Sequence, residues 1–178
     1  MSTDTEAATG TWQLDPVHSS VGFEVPYVVG TFKGAFREAE ARLDVTGERA
    51  TLEGRVQVPS VDVKDENLAA HLQSPDFFDA ERFPELTFAA RDVELDGETV
   101  TARGEITIRG VTKPVAVTGS ATAPAADPYG GERIGLAVSA TVDRTDFGLE
   151  WNTPLPSGDP ALGNDVTIVA DLVFVKAA

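Results

Sequence analysis

Apolar and polar residues alternate along most of the chain. In "TVTARGEITIRG", the apolar parity holds Val100, Ala102, Gly104, Ile106 and Ile108. Because successive side chains of a strand point to opposite faces, this pattern predicts a strand with one buried and one exposed face. The segments "HSSVGFEVPYV", "TLEGRVQVPSV" and "ERIGLAVSATVDR" alternate in the same way. The pattern therefore predicts an all-β fold.

Short turn sequences separate these strands. The segments "VTGERA", "LDGETV", "IRGVTKP" and "DPYGGER" lie at intervals typical of hairpins. The pattern predicts about eight strands, and their order favours an antiparallel, meander-like sheet that is closed into a barrel or folded into a sandwich. The apolar parity changes between Phe36 and Ala39, which predicts a bulge near Arg37 and Glu38.

The segment at residues 65–80 departs from the β pattern. It contains "NLAAHLQ", whose apolar residues have helical spacing, and Ser74-Pro75, which predicts a second short helical turn. The stretch around its end contains four phenylalanines: Phe77, Phe78, Phe83 and Phe88. We therefore expect a short helical insertion that closes one end of the sheet, either as a plug or as a lid over a cavity. A second apolar connection, "FGLEWNTPLPSGDPALGND", joins the last two strands.

The composition of the chain disfavours or excludes several classes of function. The 178 residues suggest one domain at 11–178, after a disordered lead at residues 1–10. A net charge of −15 disfavours binding to nucleic acid or to anionic membranes. The chain has no cysteine, which excludes disulfides and thiolate chemistry. The N-terminus resembles no secretory signal, and no apolar run is long enough to insert stably in a membrane. We therefore expect a cytoplasmic protein.

Few residues suggest catalysis or metal binding. The two histidines, His18 and His71, belong to different predicted elements, so no metal site is predicted. The sequence has no nucleophile elbow, phosphate-binding loop or dinucleotide fingerprint. We interpret His18 as a structural histidine or a ligand contact. Arg109, at a strand end, is either a solvated turn cation or an anchor for a polar ligand head.

Six segments occur in an order that resembles a known family. They are "WQLDPVHSSVGFEV", "GTFKGAF", "SVDV" followed by "HLQSPDFFDAERFPELTF", "GEITIRGVTKPV", "RTDFGL" and "LGNDVTI". The chain resembles the YceI-like family of small lipocalin-like barrels, associated with binding of polyisoprenoids and other long-chain amphiphiles, over roughly residues 11–176. It departs from the family at Tyr27, where a histidine is frequent, and at Leu68-Ala69, where an Arg-Asp pair is frequent. Both departures make the expected cavity mouth less polar.

The resemblance implies an antiparallel lipocalin-like β-barrel of about eight strands with a helical insertion near residues 65–80. It also implies binding, storage or transport of a long-chain apolar ligand: an isoprenoid, a quinone or a fatty-acid derivative. No further cofactor, catalytic residue or metal ligand is assigned. The candidate wall residues are Val21, Phe23, Val25, Phe32, Phe36, Phe88 and Ile106. The candidate mouth residues are Leu72, Phe77, Phe78, Phe147 and Trp151, and the candidate polar contacts are His18, Tyr27 and Arg109.

Two alternatives use the same barrel differently. The cavity could serve an isomerase or cyclase acting on a hydrophobic substrate, with Tyr27 and His18 as acid-base groups. A barrel without a ligand could instead be a stress-related or interaction module. We favour binding over catalysis. Some members of the family form dimers, so the resemblance also allows a homodimer.

Overall fold

The alternating segments form the strands of one antiparallel sheet. The computed structural model describes residues 8–47, 49–96 and 98–177. Within these ranges one α-helix, α1 (Glu66–Gln73), lies between β6 and β7. The strands are β1 (Gly10–Leu14), β2 (Ser20–Tyr27), β3 (Gly30–Phe36), β4 (Ala39–Thr46), β5 (Arg49–Gln57), β6 (Val61–Asp62), β7 (Glu85–Asp96), β8 (Thr99–Ile108), β9 (Val111–Ala121), β10 (Ala125–Ala126), β11 (Glu132–Asp143) and β12 (Asp165–Lys176).

Eight of the strands close into a barrel. Pairing runs from β11 through β9, β8, β7, β5, β4 and β1 to β12, and β12 pairs with β11 again. β2, β3 and β6 continue the sheet from β12. β2 lies beside residues 167–171 of β12, whereas β1 lies beside residues 174–176. These pairings confirm the predicted antiparallel barrel of about eight strands.

The predicted change of parity at Arg37 and Glu38 is present, but it is a break between β3 and β4 and not a one-residue bulge within one strand. Both residues lie outside the two strands. Ser60 fills the gap, since its carbonyl accepts from the Arg37 N–H at 3.1 Å and its hydroxyl oxygen accepts from the Glu38 N–H at 3.0 Å. The break changes the strand's parity, so that Phe36 and Leu43 both face the interior.

The helical insertion forms only in part. α1 begins after Asp65, whose carboxylate accepts from the N–H groups of Asn67 and Leu68 at 2.8 and 3.1 Å. The second helical turn predicted at Ser74-Pro75 does not form. Ser74 instead ends α1, and its carbonyl accepts from the Phe77 and Asp79 N–H groups in a tight turn. Asp79, at φ 53°, then directs the chain away from a helical path.

α1 is a surface element of the barrel end and not a membrane span. It has eight residues, whereas a spanning helix needs about 20 predominantly apolar residues. Nowhere in the described ranges does a helix combine the length and apolarity that crossing a membrane requires.

The two halves of the barrel differ in how they are filled. In the half away from α1, large apolar side chains pack against one another with little or no exposure, and we call this the packed half. It contains Trp12, Leu43, Val93, Leu136 and Phe174. The other half, below α1, encloses a cavity.

The predicted lead and two predicted turns lie partly outside the described residues, and Glu48 of "VTGERA" belongs to the part that is not described. Residues 1–7 are outside them, but Ala8 is buried and accepts the Trp12 indole N–H at 2.7 Å. Gly10 already pairs with Val45 in the sheet. Gly97 of the predicted Asp-Gly turn is also outside the described residues, although Asp96 pairs with Thr99 across that turn.

Candidate functional site

The cavity below α1 has a volume of about 490 Å³. This lies within the range of roughly 300–1,000 Å³ that is usual for small-molecule sites. Its walls are the inward faces of the strands, and its lining is overwhelmingly apolar. β8 shows how the halves differ, because Val100 belongs to the tightly packed interior while Ile106 and Ile108 of the same face border the cavity.

Four phenylalanines form one side of the cavity. The ring centroid of Phe23 lies 5.9 Å from that of Phe32, 5.7 Å from that of Phe36 and 6.2 Å from that of Phe78. Phe78 also lies 5.8 Å from Phe36. Phe78 comes from the turn after α1, so these edge-on and tilted contacts attach the insertion to the barrel wall.

A second aromatic group, which we call the mouth cluster, consists of His71, Phe77 and Trp151. The His71 ring lies 5.0 Å from Phe77 and 4.7 Å from Trp151, and Phe77 lies 5.4 Å from Trp151. The His71 Nε2 atom lies 3.0 Å from an Asp76 carboxylate oxygen. The mouth cluster therefore joins α1 to the β11–β12 connection, and all three residues border the cavity.

The structure brings most of the predicted ligand residues together. The following candidates border the cavity: Val21, Phe23, Val25, Tyr27, Phe32, Phe36, Leu72, Phe77, Phe78, Phe88, Ile106, Phe147 and Trp151. Tyr27 is half-exposed at the end of β2. His18 and Arg109 are not among the lining residues. Contact of any of these side chains with a ligand stays a prediction.

His18 lies outside the cavity because it is held in the break between β1 and β2. Its Nδ1 atom is 2.7 Å from the Asp15 carboxylate, and its side chain is 64% exposed. Arg133 donates to the same carboxylate oxygen at 2.5 Å. Hydrogen bonds from Arg133 and His18 hold the pKa of Asp15 well below its usual range. Of the two acid-base candidates of the enzyme alternative, Tyr27 therefore borders the cavity and His18 does not.

Arg109 lies outside the cavity because it forms the turn between β8 and β9. Its backbone is left-handed, at φ 52°. Its Nη1 atom donates to the Gly148 carbonyl at 2.9 Å, which ties this turn to the β11–β12 connection. The guanidinium is thus engaged by the backbone of a neighbouring loop.

Arg144 borders the cavity, and the sequence-based assignment missed it. It is 5% exposed. Its Nε atom donates to the Gly163 carbonyl at 2.8 Å, and its Nη1 atom donates to the Leu149 and Trp151 carbonyls at 2.7 and 2.9 Å. Burial lowers the pKa of Arg144, against an opposing effect of the Asp143 charge. The available signal was the position of "RTDFGL" directly after an alternating strand, where a cation precedes an apolar connection.

Glycines opposite two of the phenylalanines also shape the cavity. A Cβ at Gly34 would come within 2.5 Å of the Phe23 ring, and one at Gly104 within 2.8 Å of the Phe88 ring. Gly34 is paired directly with Phe23, whereas Gly104 lies two residues from Ile106, which is paired with Phe88. Each ring occupies space that a side chain at the glycine would otherwise take.

The comparisons with known proteins agree with this architecture. The YceI-like domain model matches residues 12–174. The chain belongs to the YceI-like family. A UPF0312 protein of Photorhabdus laumondii is 30% identical over 146 residues, which cover 75% of this chain and 71% of that protein.

Two solved structures share the fold. BcnA of Burkholderia cenocepacia has a TM-score of 0.77 at 20% identity, covering 90% of this chain and 98% of that chain. A polyisoprenoid binding domain from Saccharophagus degradans, implicated in plant cell wall breakdown, has a TM-score of 0.68 at 13% identity. That match covers 93% of this chain and 98% of the other.

Proposed function

We propose that the protein binds a long-chain apolar ligand, an isoprenoid, quinone or fatty-acid derivative, and stores or transports it. The observation that carries this proposal is the contrast between the barrel halves. One half is filled with side chains, while the other keeps an apolar cavity of about 490 Å³. Space of this kind is unfavourable without an occupant, because its lining loses the contacts that close packing provides.

Apolar burial is large enough to hold such a ligand. Transfer of about fifteen methylenes out of water contributes about 12 kcal/mol. Docking and ordering of the chain oppose this by about 4 kcal/mol or more. The difference of about 8 kcal/mol corresponds to roughly micromolar affinity.

The fold neighbour from Saccharophagus degradans supports the same class of ligand, since it is described as a polyisoprenoid binding domain. The mouth cluster supports reversible uptake, because aromatic side chains from two separate connections meet there. We propose that a ligand enters below α1, between these side chains.

Native mass spectrometry of freshly purified protein, followed by solvent extraction, tests the proposal. We expect an adduct mass that extracts as a long-chain lipid or quinone. In parallel, Trp151 at the cavity should report binding through a fluorescence change that is absent in Trp151→Phe. An apo mass together with no fluorescence response to a lipid extract would reject the proposal.

A matched pair of variants on β11 links binding to the cavity. Ala140 borders the cavity, whereas Ala137 of the same strand is exposed on the opposite face. We expect Ala140→Leu to weaken binding by occupying cavity volume, and Ala137→Leu to bind as the wild type does. Equal binding by both variants would place the ligand elsewhere.

Location and assembly stay predictions of this proposal. A cytoplasmic carrier would be recovered in the cytosolic fraction of the cell that makes it. A homodimer would show twice the chain mass in light scattering, with and without extracted lipid.

A further inference from the structure

Arg144 has hydrogen-bond donors that the protein does not use. A guanidinium carries five N–H groups. The Nε–H bonds the Gly163 carbonyl, and the two Nη1 hydrogens bond the carbonyls of Leu149 and Trp151. In the described part of the chain, Nη2 makes no hydrogen bond. Two N–H groups on one nitrogen are therefore left over.

The nitrogen that carries these two donors is not completely covered by protein. Among the described residues, no fully buried side-chain nitrogen or oxygen lacks a hydrogen-bond partner. Nη2 must therefore have accessible surface, although Arg144 as a whole is 5% exposed. Because Arg144 lines the cavity, we place its unused donors at the cavity wall.

Arg144 is also a cation without a carboxylate partner among the described residues. No Asp or Glu oxygen within those residues reaches ion-pair distance of its guanidinium. The neighbouring Asp143 carboxylate instead accepts from the Thr145 N–H at 2.9 Å and from its hydroxyl at 2.6 Å. A buried charge left in this state is costly, and an anion beside it would offset that cost.

The other charged groups at the cavity are already paired. Arg55 donates to Glu40 at 2.6 Å, and His71 lies 3.0 Å from Asp76. Both pairs join residues that border the cavity to partners at or near the surface. Arg144 thus differs from these lining residues, because it is buried and has hydrogen-bond donors that are not used.

We propose that Arg144 binds the carboxylate of the ligand, so that the protein takes a long-chain carboxylic acid with its head group at the β11–β12 connection. This inference rests on the proposed function and narrows its ligand class. An N–H group of Nη2 can donate a charge-assisted hydrogen bond to a carboxylate oxygen. A phosphate, with more charge and three terminal oxygens, would leave acceptors without donors in this apolar site.

Three ligands of equal chain length test the head group: hexadecanoic acid, hexadecanol and hexadecyl phosphate. Affinity is measured at neutral pH by competition against a fluorescent probe of the cavity, below the ligands' micelle concentrations. For wild-type protein, we expect the acid to bind about tenfold or more tightly than the alcohol, and more tightly than the phosphate.

Two arginine variants test whether Arg144 causes the preference for the acid over the alcohol. In Arg144→Met we expect the acid to lose its preference over the alcohol. Arg55→Met is the matched control, since it removes another cavity-lining guanidinium that is already paired. It should keep the preference. Because Arg144 also holds three loop carbonyls, Arg144→Lys and the wild-type comparison provide tests that do not depend on folding of Arg144→Met.

The outcomes separate this inference from the proposed function. Equal binding of acid and alcohol by the wild type overturns the role of Arg144 and leaves apolar binding in place. Tighter binding of the phosphate overturns the carboxylate assignment. Persistence of the acid preference in folded Arg144→Met, or its loss in Arg55→Met, places the anion elsewhere. Binding of none of the three ligands overturns the carboxylic-acid assignment, and together with an apo mass in native mass spectrometry it also rejects the proposed function.

Discussion

The Phe23 ring occupies the space that a side chain at Gly34 would need. The two residues are directly paired across β2 and β3. A Cβ at position 34 would lie 2.5 Å from one ring carbon and 2.9 Å from another. The glycine thus lets a large ring lie against the neighbouring strand, and it contributes to the width of the cavity.

Gly34→Ala should therefore reduce both stability and binding. The added methyl pushes the Phe23 ring away from β3 and into the cavity, and overpacking of this kind costs about 1–3 kcal/mol. Urea unfolding measures the loss of stability, and ligand titration measures the loss of affinity. Gly54→Ala is the control, because Gly54 borders the cavity and its added Cβ would stay 3.4 Å from the nearest atom. Wild-type affinity in Gly34→Ala would contradict this account.

Phe77→Leu should loosen the mouth cluster. The change removes two aromatic contacts, with His71 and Trp151, each worth about 0.5–1.5 kcal/mol. We expect a modest loss of stability and a several-fold faster release of bound ligand, measured by stopped-flow displacement. Phe174→Leu makes the same substitution in the packed half, where it should lower stability without a comparable effect on release. Unchanged release in Phe77→Leu would mean that these rings form a fixed plug.

Asp15 should stabilise the fold above acidic pH. Its pKa is lowered by Arg133 first and then by His18, so its contribution is present above the ordinary value of 3.8 and is lost as pH falls through the lower folded value. Asp15→Asn should therefore be less stable than the wild type at neutral pH. The difference should shrink as the pH drops below about 4. Urea unfolding across this range checks the sign, and a difference that stays constant would show that the ion pair contributes nothing.

Replacing Val28 with a residue that tolerates a left-handed backbone should stabilise the protein. It occupies the tip of the β2–β3 hairpin at φ 50°, a conformation that β-branched residues rarely adopt. Val28→Asn should raise the free energy of unfolding by about 0.5–1 kcal/mol, since asparagine is far more common in this region. Val29→Asn is the control at the next position, where the side chain is fully exposed and φ is not positive. Thermal unfolding compares the two, and destabilisation by Val28→Asn would refute the strain.

Alternation in the sequence was sufficient to predict the antiparallel strands, but parity alone did not say which of their faces would line the cavity. It could not predict where along each strand the interior changes from packed to open. Val100 and Ile106 have the same parity in β8, yet only Ile106 borders the cavity. That difference depends on the volumes contributed by facing strands, which are distant in sequence. Residues such as Trp12 and Phe174 fill one half together and leave the other half unfilled.

The polar part of the site was harder to predict for a related reason. Arg109 and Arg144 each follow an alternating strand, so that position by itself does not distinguish them. The fold of the β11–β12 connection distinguishes the two arginines. It buries Arg144, which donates to the carbonyls of residues 149, 151 and 163, whereas Arg109 contacts the connection at the Gly148 carbonyl. Ser74-Pro75 failed as a helix start because Ser74 was already engaged in ending α1.

β12 determines when the cavity can exist during synthesis of the protein. It pairs with β1, β2 and β11, so both the first strands and the next-to-last long strand depend on it to complete the ring. When a ribosome-bound chain has emerged as far as β11, its sheet is still open and has two unpaired edges. Any ligand must therefore be loaded after translation of the barrel, and closure must wait for pairing between distant parts of the chain, which is intrinsically slow.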